Sequence, residues 1–140
     1  MFIEWNITYS VGIDEIDYHH KTLFELLDRS YFLILEENNK NKLSELFYEL
    51  IDYSHYHFSA EERLMIKYDY PNIDYHILEH LNYTYTVLNY EKMMVEDNDD
   101  IPYDVFEFVK RWLFEHILNT DFEMGQFIQS RQINMNRDSN

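Results

Sequence analysis

The sequence predicts an all-α fold, an antiparallel up-down-up-down four-helix bundle preceded by an extended N-terminal arm. Two observations carry this reading. Only 2 Gly and 2 Pro occur in 140 residues, too few to turn the many short strands of a sandwich or barrel. Four stretches repeat inward-facing residues at alternating spacings of four and three, the signature of one buried helix face, and short polar breaks separate them.

Residues 1–17 have no helical period. Their Trp5, Val11, Gly12, Ile13 and Ile16 predict an arm folded over the bundle with its apolar side chains buried. The first helix is expected from Asp17 or Tyr18 to about Asn38, with His20, Phe24, Leu27, Tyr31 and Ile34 forming one stripe. The polar run at 38–41 predicts a turn. The second helix then carries Leu43, Phe47, Leu50, Ser54, His57, Glu61 and Leu64 inward and ends near Lys67. After the break at Tyr70, Pro71 and Asn72, a third helix turns Ile73, His76, His80, Thr84, Val87 and Met94 inward, up to an acidic loop at 96–100. Pro102 suits the opening of a fourth helix, whose inward series is Val105, Val109, Trp112 and His116. One domain is expected over residues 1–140, with the arm at 1–17, the bundle at about 18–130 and a frayed tail at 131–140.

Composition narrows the function classes. The formal charge of −16, from 27 acidic and 11 basic residues, repels phosphate backbones and anionic lipid surfaces, so nucleic acid is not the expected partner. No cysteine occurs, which removes disulfides, thiolate nucleophiles and sulfur ligands and leaves imidazole and carboxylate for any metal. No apolar run approaches the roughly 18 residues of a membrane span, and residues 1–10 lack the pattern of a signal peptide. A cytoplasmic protein without membrane insertion is therefore expected. The 13 tyrosines fit amphipathic helix faces and need no redox role.

Chemistry is concentrated in the helix stripes. A lone buried histidine is more often hydrogen-bonded structure than a ligand, and a single His-x-x-x-His pair arises often by chance. Here, however, each predicted helix carries at least one imidazole on its core face, and the second also carries a carboxylate. Ionisable groups avoid a dry interior unless something compensates their lost hydration, and a divalent metal does so. Four-residue spacing puts His57 with Glu61, and His76 with His80, one turn apart on one face. His116 and Asp121 are five apart, roughly 140° out of phase on an ideal helix at about 100° per residue. That spacing predicts a π-bulge or a helix break near Asn119 and Thr120.

The chain resembles the hemerythrin family, in particular its single-domain bacterial members, over about residues 2–130. The motifs that match are Ile16 to Lys21 around His20, His57 with Glu61, His76 with His80, and His116 with Asp121, together with Trp5 and Val11 to Asp14 in the arm. His19 stands where the family usually has glutamine. Stripe phase gives the ligand role to His20 and leaves His19 exposed or hydrogen-bonded behind a ligand, while His55 points away.

The resemblance implies reversible dioxygen binding at two iron ions bridged by oxo or hydroxo. It implies that His76, His80 and His116 bind one iron, that His20 and His57 bind the other, and that Glu61 and Asp121 bridge both. The second iron then keeps one open position for dioxygen. Leu23, Phe58, Trp112 and Leu113 resemble the apolar lining of the family's oxygen pocket, and ordinary core packing accounts for them equally well. Storage, transport or delivery of oxygen is thus expected rather than enzymatic turnover. The alternatives are a di-iron oxidase or peroxidase, whose sites are richer in carboxylate, and an oxygen or iron sensor acting through a partner. The identity of any protein partner and the oligomeric state are left open.

Overall fold

In the computed structural model, residues 3–36, 40–95 and 101–138 are described. Helix α1 spans Asp14–Leu35, α2 Lys40–Lys67, α3 Ile73–Val95, α4 Ile101–Glu115 and α5 Phe122–Asp138. A π-helical segment, His116–Asp121, joins α4 to α5, so the three together form the fourth rod of the bundle. Among the described residues there is no strand. Helix α1 packs on α2 and α4, α2 on α3, and α3 on α4, which closes the ring of an up-down-up-down bundle.

Several element ends differ from expectation. Helix α1 begins at Asp14, a few residues early, because Asp14, Glu15 and Asp17 fill its first turn and stabilise the positive end of the helix dipole. Its last residue, Leu35, precedes the expected end. Of the expected turn at 38–41, residues 38 and 39 lie outside the described residues, as does the acidic loop at 96–100. The expected frayed tail is helical through Asp138, as α5 continues the fourth rod. On α3 the inward position beyond His80 is held by Tyr83, fully buried with its hydroxyl 2.9 Å from Ser54 Oγ, whereas Thr84 is half-buried and donates to His80 O.

The arm is pinned by side chains of α1. Asp17 accepts from Val11 N at 2.9 Å and from Ser10 Oγ, and Asp28 Oδ1 accepts from Ile3 N at 2.9 Å. Both glycines of the chain lie where arm and α5 meet. Gly12 has φ +81°, a conformation that side chains disfavour. A Cβ on Gly125 would stand 2.1 Å from Val11 O, so only glycine lets the arm this close. Val11, Ile13 and Ile16 are buried as expected, while Trp5 is half-buried, with Lys21 Nζ 4.4 Å from its ring centroid.

Two apolar clusters result. The larger includes Leu23, Leu27, Phe47, Leu50, Val87, Val109 and Leu113; the smaller joins Val11, Ile13 and Ile16 to Met65, Tyr68, Tyr70, Met124 and Ile128. Each fully buried aliphatic or aromatic side chain here contributes about 1.5–3 kcal/mol. Along every rod the inward histidines and carboxylates fall between these clusters, in a polar layer sealed by oily packing above and below.

Candidate metal centre

Five imidazoles and two carboxylates meet in that layer, and all seven are essentially removed from solvent: His20, His57, Glu61, His76, His80, His116 and Asp121. Helix periodicity aims six of them. His20 comes from α1, His57 and Glu61 from consecutive turns of α2, His76 and His80 from consecutive turns of α3, and His116 from the first position after α4, where the π segment begins. Asp121 is different. The π segment between His116 and Asp121 turns less per residue than a regular helix, so five residues come closer to one full turn and both side chains reach the same site. The distortion expected from the five-residue spacing is therefore present.

The donors divide into two groups that share two members. One consists of Glu61, His76, His80, His116 and Asp121, the other of His20, His57, Glu61 and Asp121, with one ligand atom of each residue within 4.8 Å of all others in its group. Asp121 faces both groups with different oxygens. Its Oδ1 lies 3.0 Å from His76 Nε2 and 2.8 Å from His116 Nε2, while its Oδ2 lies 2.9 Å from His20 Nε2. Glu61 Oε1 is 3.1 Å from His57 Nε2 and 3.3 Å from His80 Nε2. The paired nitrogens of His20 and His57, and of His80 and His116, are 3.2 Å apart.

These separations fit ligands to a common ion better than partners to one another. Two donors at right angles, each about 2.1 Å from a cation, stand about 3 Å apart. Hydrogen bonding leaves much of the cluster unsatisfied: both oxygens of Glu61, Nε2 of His76 and Oδ1 of Asp121 are buried with no hydrogen-bond partner. An orphaned buried carboxylate is costly, and a cation in each group supplies the missing partner. Imidazole with carboxylate suits first-row transition metals. The residues present thus fit two bridged metal ions.

Charge balance within the chain points the same way. Burial disfavours an ionised His57, yet Glu61 and Asp121 outweigh it and push its pKa up to about 9. His76 is likewise raised to about 9 by Asp121 and Glu61 against its burial. His20 follows burial instead and is lowered. Despite burial, the neighbouring imidazoles hold the carboxyls of Glu61 and Asp121 well below the usual carboxylate range. Protons and metal ions compete for the same positive role in this layer.

Of the four apolar residues singled out in the sequence, two lie against donor imidazoles and two are buried in the same apolar cluster. Phe58 stacks on His80 with ring centroids 4.0 Å apart, and Trp112 stacks on His116 at 4.4 Å. Leu23 and Leu113 are fully buried beside them in the larger cluster, and Phe58 and Trp112 touch at 5.6 Å. His55 is absent from both donor groups, as expected.

Three residues support the donors: His19, in the second of its two expected places, and Glu79 and Thr120, which the sequence reading misses. His19 is not exposed: it is 3% accessible, and its Nδ1 lies 3.1 Å from Nδ1 of His57. Glu79 accepts from Thr120 Oγ1 and has Oε1 3.5 Å from His116 Nδ1, so it stands behind His116 as His19 stands behind His57. The sequence signals for Glu79 and Thr120 are faint, namely a carboxylate directly before His80 and a hydroxyl directly before Asp121.

Comparison with known proteins places these features among relatives. The family profile described as "Hemerythrin HHE cation binding domain" matches residues 11–128. A bacteriohemerythrin of Clostridium acetobutylicum is 32% identical over 127 residues, covering 88% of this chain and 98% of that protein. A bacteriohemerythrin of Stenotrophomonas maltophilia is 29% identical over 84% of this chain and 75% of its own length. Among solved structures, a wild-type hemerythrin crystal structure superposes with a TM-score of 0.81 at 24% identity, covering 91% of this chain and 98% of that one. At that identity the superposition speaks for the fold alone.

Proposed function

The chain belongs to the hemerythrin HHE cation-binding family, and from that premise we propose that it holds two iron ions and binds dioxygen reversibly. The observation that carries the reading is the asymmetry of the two donor groups. Both contain Glu61 and Asp121, but one has three imidazoles and the other two. His76, His80 and His116 would hold one iron, His20 and His57 the other, and the two carboxylates would bridge them, together with an oxo or hydroxo group from solvent. The group with fewer imidazoles would leave its ion with one fewer protein ligand, and so a position for an incoming diatomic molecule.

Held by these residues, a ferrous pair would supply the two electrons that reversible dioxygen binding requires. The chain's own residues make the exchange reversible. Phe58, Trp112, Leu23 and Leu113 exclude water, and with it the protons that would carry reduced oxygen away. Asp121 and Glu61 offset the charge of the cations in a region where uncompensated charge is expensive. The preponderance of imidazole over carboxylate favours carrying oxygen over the high-valent oxidations of carboxylate-rich di-iron sites.

The test is to purify the protein, quantify its metal, reduce it without air, and record its visible spectrum while dioxygen is admitted and then removed. Two irons per chain and a band that forms and vanishes with dioxygen support the proposal. Irreversible oxidation with no such band overturns reversible binding in favour of oxidase, peroxidase or sensor chemistry, and absence of iron overturns the metal assignment.

A further inference from the structure

Helix α3 has apolar residues on two opposite faces. One face carries His76, His80, Tyr83 and Val87 into the bundle. The other exposes Leu78 at 62%, Leu81 at 46%, Tyr85 at 71% and Leu88 at 44%. With Asp74 before them and Lys92 after, both exposed, these residues follow one another at spacings of 4, 3, 4, 3 and 4. That is the heptad seam of a coiled coil, laid along the outside of the bundle over about 27 Å of helix.

The seam is also symmetric about the level of Tyr83. Leu81 and Tyr85 lie two residues either side of it, Leu78 and Leu88 five, and Asp74 and Lys92 nine. A second copy laid antiparallel on the first therefore places Leu81 against Tyr85, Leu78 against Leu88 and Asp74 against Lys92, each twice. This is the self-complementary contact that a two-fold axis requires. A parallel pairing would instead set Asp74 against Asp74 and Lys92 against Lys92. Elsewhere the chain is strongly acidic, at −16, yet the flanks of this seam carry Asn82 and Asn89, so like charges are kept from its centre. Beside it, Tyr48, Tyr85, Leu88, Asn89, Glu91 and Lys92 line a surface depression of about 400 Å³ that can receive a partner's side chain.

We infer that the outer face of α3 joins two copies of this chain, antiparallel, in a two-fold homodimer. The proposal is independent of which metal the centre holds. Sedimentation equilibrium of the metal-loaded 140-residue chain should give a mass rising from 17.4 kDa toward twice that value by about 100 μM, the range expected of a short seam. Asp74→Lys alone or Lys92→Asp alone should weaken association about tenfold, and the two together should restore it. Because the chain has no cysteine, a mixture of chains carrying Leu78→Cys and Leu88→Cys should oxidise to the mixed disulfide in preference to either homodimer. Circular dichroism and metal content check that these surface variants stay folded. A mass of one chain throughout overturns the proposal, as do charge reversals that fail to compensate or disulfides formed preferentially between like positions.

Discussion

The Nδ1 atoms of His19 and His57 lie 3.1 Å apart, with both rings buried and nearly perpendicular. When Nε2 of His57 serves a cation shared with Glu61, its Nδ1 carries the hydrogen and donates it to Nδ1 of His19. That fixes the tautomer in which Nε2 offers a lone pair to a cation. His19 can accept only while neutral, and burial, reinforced by the nearby His57, lowers its pKa. His19→Leu should therefore weaken metal binding about 10- to 100-fold, the usual effect of losing such a partner. His19→Gln, with an amide oxygen able to accept the same hydrogen, should recover most of it. Competition titration with a chromogenic chelator measures both, and equal loss in the two variants would reduce His19 to a packing role.

Glu79 and Thr120 make a matching prediction on the opposite side of the centre. Thr120 Oγ1 donates to Glu79 Oε1 at 2.9 Å, and the same oxygen faces His116 Nδ1 at 3.5 Å. Thr120 belongs to the π segment, so the contact ties that distortion to α3 as well as steering His116. Glu79→Gln and Thr120→Val should each accelerate metal loss to a chelator by roughly tenfold, about 1.4 kcal/mol. Because they act through one contact, the double variant should lose little more than either single variant. Fully additive losses would show that the two residues act separately.

Legibility in the sequence followed periodicity. The inward phase of His20, His57, Glu61, His76 and His80 is set by regular helix geometry, and only the five-residue step from His116 to Asp121 demanded a distortion, which the π segment supplies. Contacts that depend on where neighbouring rods sit were not legible. The sequence leaves His19 either exposed or behind a ligand, because whether it meets His57 depends on how closely α1 approaches α2. Glu79 meets Thr120 across α3 and the fourth rod, 41 residues apart in sequence. Helix ends are less legible than helix faces, since Asp14 and Glu15 act through the dipole and leave no apolar mark.

The protein freed of metal by chelation should be most stable at mildly acidic pH. His57 and His76 have pKa values raised to about 9 by the carboxylates, and His116 is raised well above its ordinary value. A raised pKa stabilises the fold fully below about 6.5, the unfolded value, and that contribution fades as pH climbs toward 9. His19 and His20 are lowered and act in the opposite sense, but they are outnumbered. The depressed Glu61 and Asp121 stabilise above their unfolded values near pH 4 and lose that effect on acidification. Denaturant midpoints should thus peak at about pH 5–6.5. Metal affinity should run the other way, rising between pH 6 and 9 with release of protons, which calorimetry in buffers of different ionisation enthalpy counts. A pH-independent affinity would contradict these charge states.

Leu113→Ala should separate the chemistry of the pocket from its packing. Leu113 is fully buried in the cluster that holds Leu23 and Phe58, and it precedes His116 by almost one turn. Truncation costs about 2–5 kcal/mol through lost burial and the cavity left behind, so a lower melting temperature is expected under either reading. If the side chain also keeps water from bound oxygen, the spontaneous decay of the oxygenated protein should speed by on the order of tenfold, about 1.4 kcal/mol. Leu50→Ala provides the control: Leu50 is equally buried in the same cluster but lies two helical turns from His57, and it should cost comparable stability while leaving the decay rate nearly unchanged. Equal acceleration in both variants would assign the effect to general loosening of the bundle, whereas acceleration confined to Leu113→Ala would place this residue in the barrier between solvent and the centre.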